Sequence, residues 1–255
     1  MDPEPLRVRP SLLPVAAQCR LRFQREVRGG VGMVRFSRAN ADRAFLVRNL
    51  LVDAIEQAHA AGPDGLDQLL HADPPEGLLA EERWLFRRGL DHYVELAGER
   101  GGAVLQPDER YPVLPHSSGR FLLSLRLELC FTVEDGGAEL RRIGFAAPRQ
   151  DPGEDPRVLA VAVLLAHRGH TFVRVAHLDL LHGRMQESLL DRPRIAEAAR
   201  DIGEIVLSAL DDPRPEPAPG WWCHECPALR SCPAVSQQAP SELVLMATGE
   251  AMGEV

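Results

Sequence analysis

The feature that most constrains this chain is a group of three cysteines in the segment GWWCHECPALRSC, which begins at Gly220. Cys223, Cys226 and Cys232 have the spacing C-x2-C-x5-C. Thiolates bind zinc or iron–sulfur clusters because soft sulfur suits those ions, and four ligands complete a tetrahedral or cubane site. The segment therefore predicts a metal centre that needs a fourth ligand from elsewhere.

Two other cysteines, Cys19 and Cys130, are candidates for the fourth ligand, and His224 would complete a zinc knuckle. Cys19 lies in SLLPVAAQCRLRFQREV, a helix-like stretch far from Cys223 in sequence. Cys130 lies in an alternating, strand-like stretch, where a small packed thiol is the expected role. A ligand at each end of the chain would close a long loop as a clasp. Spacing alone leaves zinc and iron–sulfur as equal alternatives.

Composition excludes some functions and leaves others open. The net charge of −8 argues against a protein that coats nucleic acid through bulk charge. All 29 basic residues are arginines, and Arg20, Arg22, Arg25 and Arg28 form the best local basic patch for phosphate contact. No stretch is apolar enough for a membrane span, and clustered cysteines favour a metal site in the reducing cytoplasm over disulfides. We expect a cytoplasmic protein with no membrane contact.

The hydrophobic periodicity predicts an α/β fold. Helical spacing in ANADRAFLVRNLLVDAIEQAHA and from about residue 79 to 96 precedes a strand-like alternation from Leu123 to Phe131. The stretch EDGGAE predicts a hairpin turn, VLAVAVLLAHRG a buried helix, and HTFVRVAHLDLLHGRM a strand ending in a turn. Asp191 is expected to cap a long final helix with Pro193 in its first turn. We predict one domain over residues 1–237 and a tail over 238–255.

These features together resemble the iron–sulfur branch of the RecB-like PD-(D/E)XK nuclease superfamily. The resemblance rests on a cysteine in a C-R-x-R-F stretch, an α/β body, and PGWWCHECPALRSC after a long helix. That branch includes CRISPR-associated RecB-like exonucleases and AddB helicase–nuclease subunits. The resemblance implies a mixed sheet flanked by helices and closed by a cysteine clasp. It also implies a [4Fe-4S] cluster, which it favours over Zn2+, with ligands Cys19, Cys223, Cys226 and Cys232.

The same resemblance implies a nuclease centre, in which carboxylates hold divalent ions and a lysine orients or activates water. Aligned on LELCFTVEDGGAELRRIGFAA, Glu128 takes the place of the metal-binding Asp. The other family positions hold Asn49 for a helical His, Gly144, Phe145 and Ala146 for D/E-x-K, and Arg157 or Val158 for a helical Gln.

This centre lacks the residue that orients or activates water, because the chain contains no lysine at all. Arginine is a poor substitute, since its guanidinium stays protonated and cannot present a compact ammonium to water. Glu128 is the one remnant, and no catalytic residue is predicted. The histidines His167, His170, His177 and His182 are close in sequence but share no ligand spacing.

The sequence therefore predicts a catalytically inactive, DNA- or protein-binding accessory factor in DNA repair, recombination, defence or a mobile-element system. One alternative is an active metal-dependent exonuclease whose active residues have migrated around Glu128 and Glu139. Another is a zinc-clasped regulatory binding module. The sequence indicates no small-molecule substrate.

Overall fold

The computed structural model describes residues 4–29, 39–98, 100, 103–105, 112–220, 223, 226, 229 and 232–234 of the 255-residue chain. The predicted tail, residues 238–255, lies outside this part. The helices are α1 (Leu13–Gln18), α2 (Arg20–Gly29), α3 (Ala39–Ala60), α4 (Pro63–Leu70), α5 (Ala80–Ala97), α6 (Pro156–His167) and α7 (Arg192–Asp211). The strands are β1 (Leu6–Val8), β2 (Val113–Pro115), β3 (Phe121–Ser124), β4 (Cys130–Thr132), β5 (Ala138–Gly144), β6 (Val173–Asp179) and β7 (Arg184–Leu190).

The chain forms two compact units that are interleaved in sequence. The first unit contains residues 1–36, 115–124 and 200–255, and the second contains residues 37–114 and 125–199. None of the helices in the described ranges has the length and apolar character that a bilayer span requires.

The second unit is built on a mixed four-stranded sheet in the order β4-β5-β6-β7. β4 runs antiparallel to β5, and β7 runs antiparallel to β6. β5 and β6 are parallel, and α6 provides the crossover connection between them. Asp155 caps α6, since its carboxylate accepts a hydrogen bond from the backbone N–H of Arg157. The predicted α/β class is confirmed.

The core of the second unit lies between the sheet and the helices α3 and α5. Its buried side chains follow helical spacing on α3, as in Val47, Leu51 and Ile55, and they meet Phe131 and Leu178 from the strands. Gly89 of α5 approaches Leu51 so closely that a Cβ there would lie 2.8 Å from the Leu51 side chain.

The first unit joins the amino-terminal helices to the end of α7. β1 pairs in parallel with β3, from Leu6 opposite Phe121 to Val8 opposite Leu123. In α7, Ile202, Val206 and Ala209 are buried and follow helical spacing.

The structure differs from the sequence-based expectation at two breaks in regular structure. The predicted alternating strand is interrupted between β3 and β4, where Leu129 adopts a positive φ of 46°. The helix-like stretch around Cys19 is broken at Cys19 itself, whose φ of −149° is extended and separates α1 from α2. Hydrophobic periodicity reports buried faces and not backbone dihedrals, so it could not place either break.

The turn of the predicted hairpin and the cap at the start of the last helix were predicted correctly. Asp135 and Gly136 both have positive φ in the turn before β5, as the EDGG sequence indicates. Asp191 accepts a hydrogen bond from the N–H of Arg194 at the start of α7. Strand β7 was missed, because its alternation is weak: six of its seven residues are exposed or half-buried.

Candidate functional site

Glu128 lies in a cleft of the second unit, on the irregular segment between β3 and β4. The cleft has a volume of about 540 Å³. The N–H of Leu129, in its left-handed conformation, donates to Glu56 Oε1 at 3.3 Å. Such a conformation is rare for a leucine and requires support from its surroundings. The cleft is lined by Asp53, Glu56, Gln57, Ala60, Val104, Leu105, Arg126, Leu127, Glu128, Leu129 and Cys130.

Two guanidinium groups neutralise the Glu128 carboxylate. Arg48 of α3 donates from one terminal nitrogen to Glu128 Oε2 at 2.7 Å. Arg126 Nε lies 2.9 Å from Glu128 Oε1, as an ion pair and not as a well-directed hydrogen bond. The side chain of Glu128 is 19% exposed, so these charges are only partly screened by water. A carboxylate held in this way has little capacity left for a divalent cation.

Arg48 also joins the predicted positions of the nuclease centre to one another. Its Nε donates to the carbonyl of Ile143 at 2.9 Å, next to Gly144 at the end of β5. Its other terminal nitrogen lies 3.3 Å from Asn49 Oδ1. The structure thus brings Glu128, Asn49 and the end of β5 together, with a guanidinium between them. Sequence reasoning missed Arg48, although its charge interrupts the apolar run FLVRNLLV.

Gly144, at the predicted position of the second carboxylate, is closely approached by a neighbouring side chain. A Cβ at Gly144 would lie 3.1 Å from two ring atoms of His177 on the neighbouring strand β6. His177 Nε2 in turn lies 3.0 Å from the carbonyl oxygen of Ala146. Phe145 packs against the core of the second unit. A side chain at this position would therefore require the His177 ring to shift.

The two candidates for the helical Gln position have structural roles. Val158 is buried in α6. Arg157 donates to the Asp155 carboxylate at 2.9 Å, and Arg142 donates to the same carboxylate at 2.7 Å. Burial alone would raise the pKa of Asp155, but the hydrogen bonds from Arg157 and the charges of both arginines hold that pKa below its usual value.

Glu139, the other acidic candidate, lies inside a buried network of charges. Its carboxylate accepts a hydrogen bond of 2.6 Å from Arg141 Nε, and Arg100 and Arg174 lie 3.4 and 3.5 Å away. Arg141 is fully buried and donates to the Tyr93 hydroxyl at 2.8 Å. Its guanidinium carbon also lies 3.9 Å from the centre of the Phe131 ring, a cation–π contact. The Glu139 side chain is 2% exposed, so its carboxylate is enclosed by the protein.

The three cysteines of the carboxyl-terminal segment follow a regular series of turns. The N–H groups of Cys223, Cys226, Leu229 and Cys232 each donate to the carbonyl three residues earlier, at 2.9 to 3.1 Å. In turns of this kind, residues three apart share a face. The N–H of Gly220 also points at Cys223 Sγ at 3.4 Å. Hydrogen bonds of this kind to sulfur are one of the influences that tune metal–thiolate centres.

Cys19 belongs to the same unit as these three cysteines and is buried at the break between α1 and α2. No disulfide joins cysteines in the described part of the chain. The donor chemistry of the four thiols fits a soft metal ion. Their placement does not complete a site, since the described residues contain no group of three or more His, Cys, Asp and Glu side chains that could hold a metal ion. The same holds for His167, His170, His177 and His182.

Cys130, the alternative fourth ligand, lies in the second unit and is buried. Burial, followed by the charges of Glu56 and Glu128, raises the pKa of the Cys130 thiol to about 12. The thiolate is the form that binds metals, so this environment opposes ligation.

The arginines of α2 make contacts within the protein. Arg20 lies 3.4 Å from the Asp212 carboxylate, and Arg28 donates to the carbonyl of Leu210 at 3.3 Å. Arg22 pairs with Glu26 on the same helix at 2.7 Å. Two of the four predicted phosphate contacts, Arg20 and Arg28, therefore bind the end of α7, where the helix dipole is negative.

The comparisons with known proteins assign no family to the chain. No protein-family model and no curated protein sequence matches the chain. Among solved structures, the chain is similar to the crystal structure of SSO0001, with a TM-score of 0.39 and 13% identity over 89% of this chain and 86% of that chain. A likeness of this size carries no argument about family or function.

Proposed function

We propose that this chain is a RecB-like PD-(D/E)XK protein that has lost metal-dependent catalysis and acts by binding a nucleic-acid or protein partner. The proposal extends to an accessory role in DNA repair, recombination, defence or a mobile-element system in the cytoplasm. Its strongest support is one contact, the bond from Arg48 to Glu128. In the proposed alignment on Glu128, a permanently charged guanidinium takes the place of a metal ion.

The surroundings of this contact support the same conclusion. The position of the family's second carboxylate is Gly144, and the His177 ring takes the adjacent space. No lysine exists anywhere in the sequence to orient a water molecule. A nuclease of this class needs all three of these elements, namely the two carboxylates and the lysine.

An exonuclease with migrated residues has less support. Its two carboxylates would be Glu128 and Glu139, and both are paired with arginines: Glu128 with Arg48 and Arg126, Glu139 with Arg141. Replacing the contact at Glu139 by a divalent cation would deprive the fully buried Arg141 guanidinium of its carboxylate partner, which is costly.

A nuclease assay tests the catalytic part of the proposal. Single- and double-stranded DNA are incubated with the protein and Mg2+ or Mn2+, and we expect no degradation above a chelator control. Glu128→Gln is the test variant, and Glu134→Gln, on an exposed turn, is its matched control. Divalent-dependent degradation that is lost in Glu128→Gln and kept in Glu134→Gln would contradict the proposal and support the exonuclease.

We further propose that Cys19, Cys223, Cys226 and Cys232 hold an iron–sulfur cluster, with zinc as the alternative. When bound, such a centre supplies metal–thiolate bonds that tie the start of α2 to the segment after α7. Hydrogen bonds already hold α2 against the end of α7, because Gln24 donates to the carbonyls of Ala209 and Asp212 at 2.8 and 2.7 Å.

Metal analysis of anaerobically purified protein tests this assignment. We expect iron and acid-labile sulfide with broad visible absorbance, whereas stoichiometric zinc without colour would support the zinc module. Cys19→Ser should remove the chromophore, and Cys130→Ser should keep it, because the buried Cys130 thiol resists ionisation. Loss of the chromophore in Cys130→Ser together with its retention in Cys19→Ser would show that the ligand set is wrong.

A further inference from the structure

The outer face of α5 carries the most exposed aromatic side chain of the described residues, surrounded by positive charge. Trp84 is 57% exposed. Arg83, Arg87 and Arg88 beside it are also exposed, and no acidic residue lies between positions 83 and 88. We call Arg83, Trp84, Arg87 and Arg88 the Trp84 strip. The core does not use it, since α5 faces the core with Phe86, Leu90 and Tyr93.

The indole is held by one of these arginines. The guanidinium carbon of Arg88 lies 5.9 Å from the centre of the Trp84 ring, within the range of a cation–π contact. Arg87 is paired with Asp73 at 2.9 Å, but the Asp73 side chain is 94% exposed. A pair that is this exposed is weak, so a stronger anion can replace the carboxylate.

We propose that the Trp84 strip binds single-stranded nucleic acid, with a base stacked on the indole and phosphates on the three guanidinium groups. Every base has a π-face, and aromatic side chains next to cations are the usual platform for bases without sequence preference. Bases in a duplex are stacked on one another, so the strip selects unpaired nucleotides. This inference deepens the proposed function by naming the class of partner.

The surroundings of Trp84 fit this partner better than they fit a protein. Tryptophan and arginine are both enriched at protein interfaces, but a protein partner would have to supply acidic groups for three arginines within two turns of one helix. A phosphodiester chain supplies one negative charge for each nucleotide. Glu81 and Asp91, also exposed on α5, limit the positive region to about two helical turns, so we expect a short binding site of a few nucleotides.

Fluorescence anisotropy with labelled oligothymidine, oligouridine and a blunt DNA duplex of equal length tests the proposal. The full-length protein should bind both single strands more tightly than the duplex. A steep fall in affinity with salt is expected, with a log–log slope of about −2 for three phosphate contacts. Preference for only one of the two single strands would identify the source as DNA or RNA and would still support the strip.

Trp84→Ala should weaken single-strand binding about tenfold or more, because it removes the stacking surface. Trp84→Phe should keep most of the affinity. Replacing Arg83, Arg87 and Arg88 together by Gln should flatten the salt dependence. Leu189→Ala is the matched control, since Leu189 is 64% exposed on β7 and should not affect binding.

Two outcomes would overturn the inference: no binding of single strands by the wild-type protein, or equal binding by wild type and Trp84→Ala. Either outcome would favour a protein as the partner of the Trp84 strip. Neither would bear on the proposed loss of catalysis. Conversely, metal-dependent degradation of the oligonucleotides would contradict the proposed function. The strip would then still be supported if Trp84→Ala bound more weakly in the presence of chelator.

Discussion

Two long helices end against a buried polar side chain: α5 in the second unit, and α7, whose last residues belong to the first unit. Only one of these two side chains is charged. Gln24 donates to the carbonyls of Ala209 and Asp212 at the end of α7, at 2.8 and 2.7 Å. Its amide is neutral, and the bonds satisfy carbonyls that have no partner within the helix.

At the end of α5, the donor is the guanidinium of Arg141. It reaches the carbonyls of Ala97 and Arg100 at 3.5 and 3.1 Å, while its Nε binds Glu139. Both side chains therefore donate hydrogen bonds to carbonyls at a helix end, but their removal should cost different amounts of stability. Loss of Gln24 leaves unsatisfied carbonyls, whereas loss of Arg141 also leaves a buried carboxylate with a weaker set of partners.

The largest expected effect is that of Arg141→Met, which keeps the length of the side chain and removes its charge. We expect the free energy of unfolding to fall by about 3–5 kcal/mol, the usual result of removing one partner of a buried ion pair. Urea denaturation followed by circular dichroism measures the change.

Arg174→Met is the matched control for this variant. Arg174 lies 3.5 Å from the same carboxylate, but its side chain is 44% exposed, so we expect a loss below about 1 kcal/mol. Adding Glu139→Gln to Arg141→Met should restore part of the stability, because it removes the buried negative charge. Equal stability of Arg141→Met and wild type would show that the charged helix end is no more critical than the neutral one.

A smaller effect is expected for the equivalent change at the neutral helix end, Gln24→Met. The substitution conserves shape and removes two hydrogen bonds to carbonyls, which should cost about 1–3 kcal/mol. Arg20→Ala serves as its control, because the pair of Arg20 with Asp212 is exposed and long. If Gln24→Met lost as much stability as Arg141→Met, charge would not explain the difference between the two helix ends.

The smallest expected effect is a pH dependence of the free energy of unfolding that comes from His59, next to Arg141. His59 Nε2 lies 2.7 Å from the Tyr93 hydroxyl and 3.5 Å from Arg141. Burial first, and then the charge of Arg141, lowers the pKa of His59 to about 4. Between pH 4 and its ordinary pKa of about 6.5, the unfolded chain takes up a proton on His59 that the folded chain does not.

The stability contributed by neutral His59 is therefore complete above pH 6.5 and is lost as the pH falls towards 4. Because the ring is only half-buried, we expect a loss on the order of 1–2 kcal/mol. The free energy of unfolding of wild type and His59→Gln, measured from pH 7 to pH 4, isolates the contribution. A His59→Gln variant with the same pH slope as wild type would contradict it.

Much of the fold could be predicted where one face of an element is apolar. The helices α3, α5 and α7 follow from their hydrophobic spacing, α6 follows from a segment that is apolar on almost every side, and the turn before β5 follows from its glycines. The site could be predicted only in part. The alternation that placed Glu128 on a strand face also placed Arg126 on the same face, two residues away, and this pair was overlooked. Arg48 comes from α3, 80 positions away in sequence, and no local pattern pairs it with Glu128.

The sequence by itself determined which chemistry this chain can perform. Without a lysine, no fold of this chain can supply the water-activating lysine of the nucleases that the sequence resembles, and the three closely spaced thiols are ligands that suit soft metal ions. The tertiary structure alone decided what the charges do. It paired Glu128 with Arg48, enclosed Glu139 around Arg141, and left Trp84 exposed beside Arg88. The physical reason is that a side chain's charge is fixed by its type, whereas its partners and its exposure to water are fixed by residues distant in sequence.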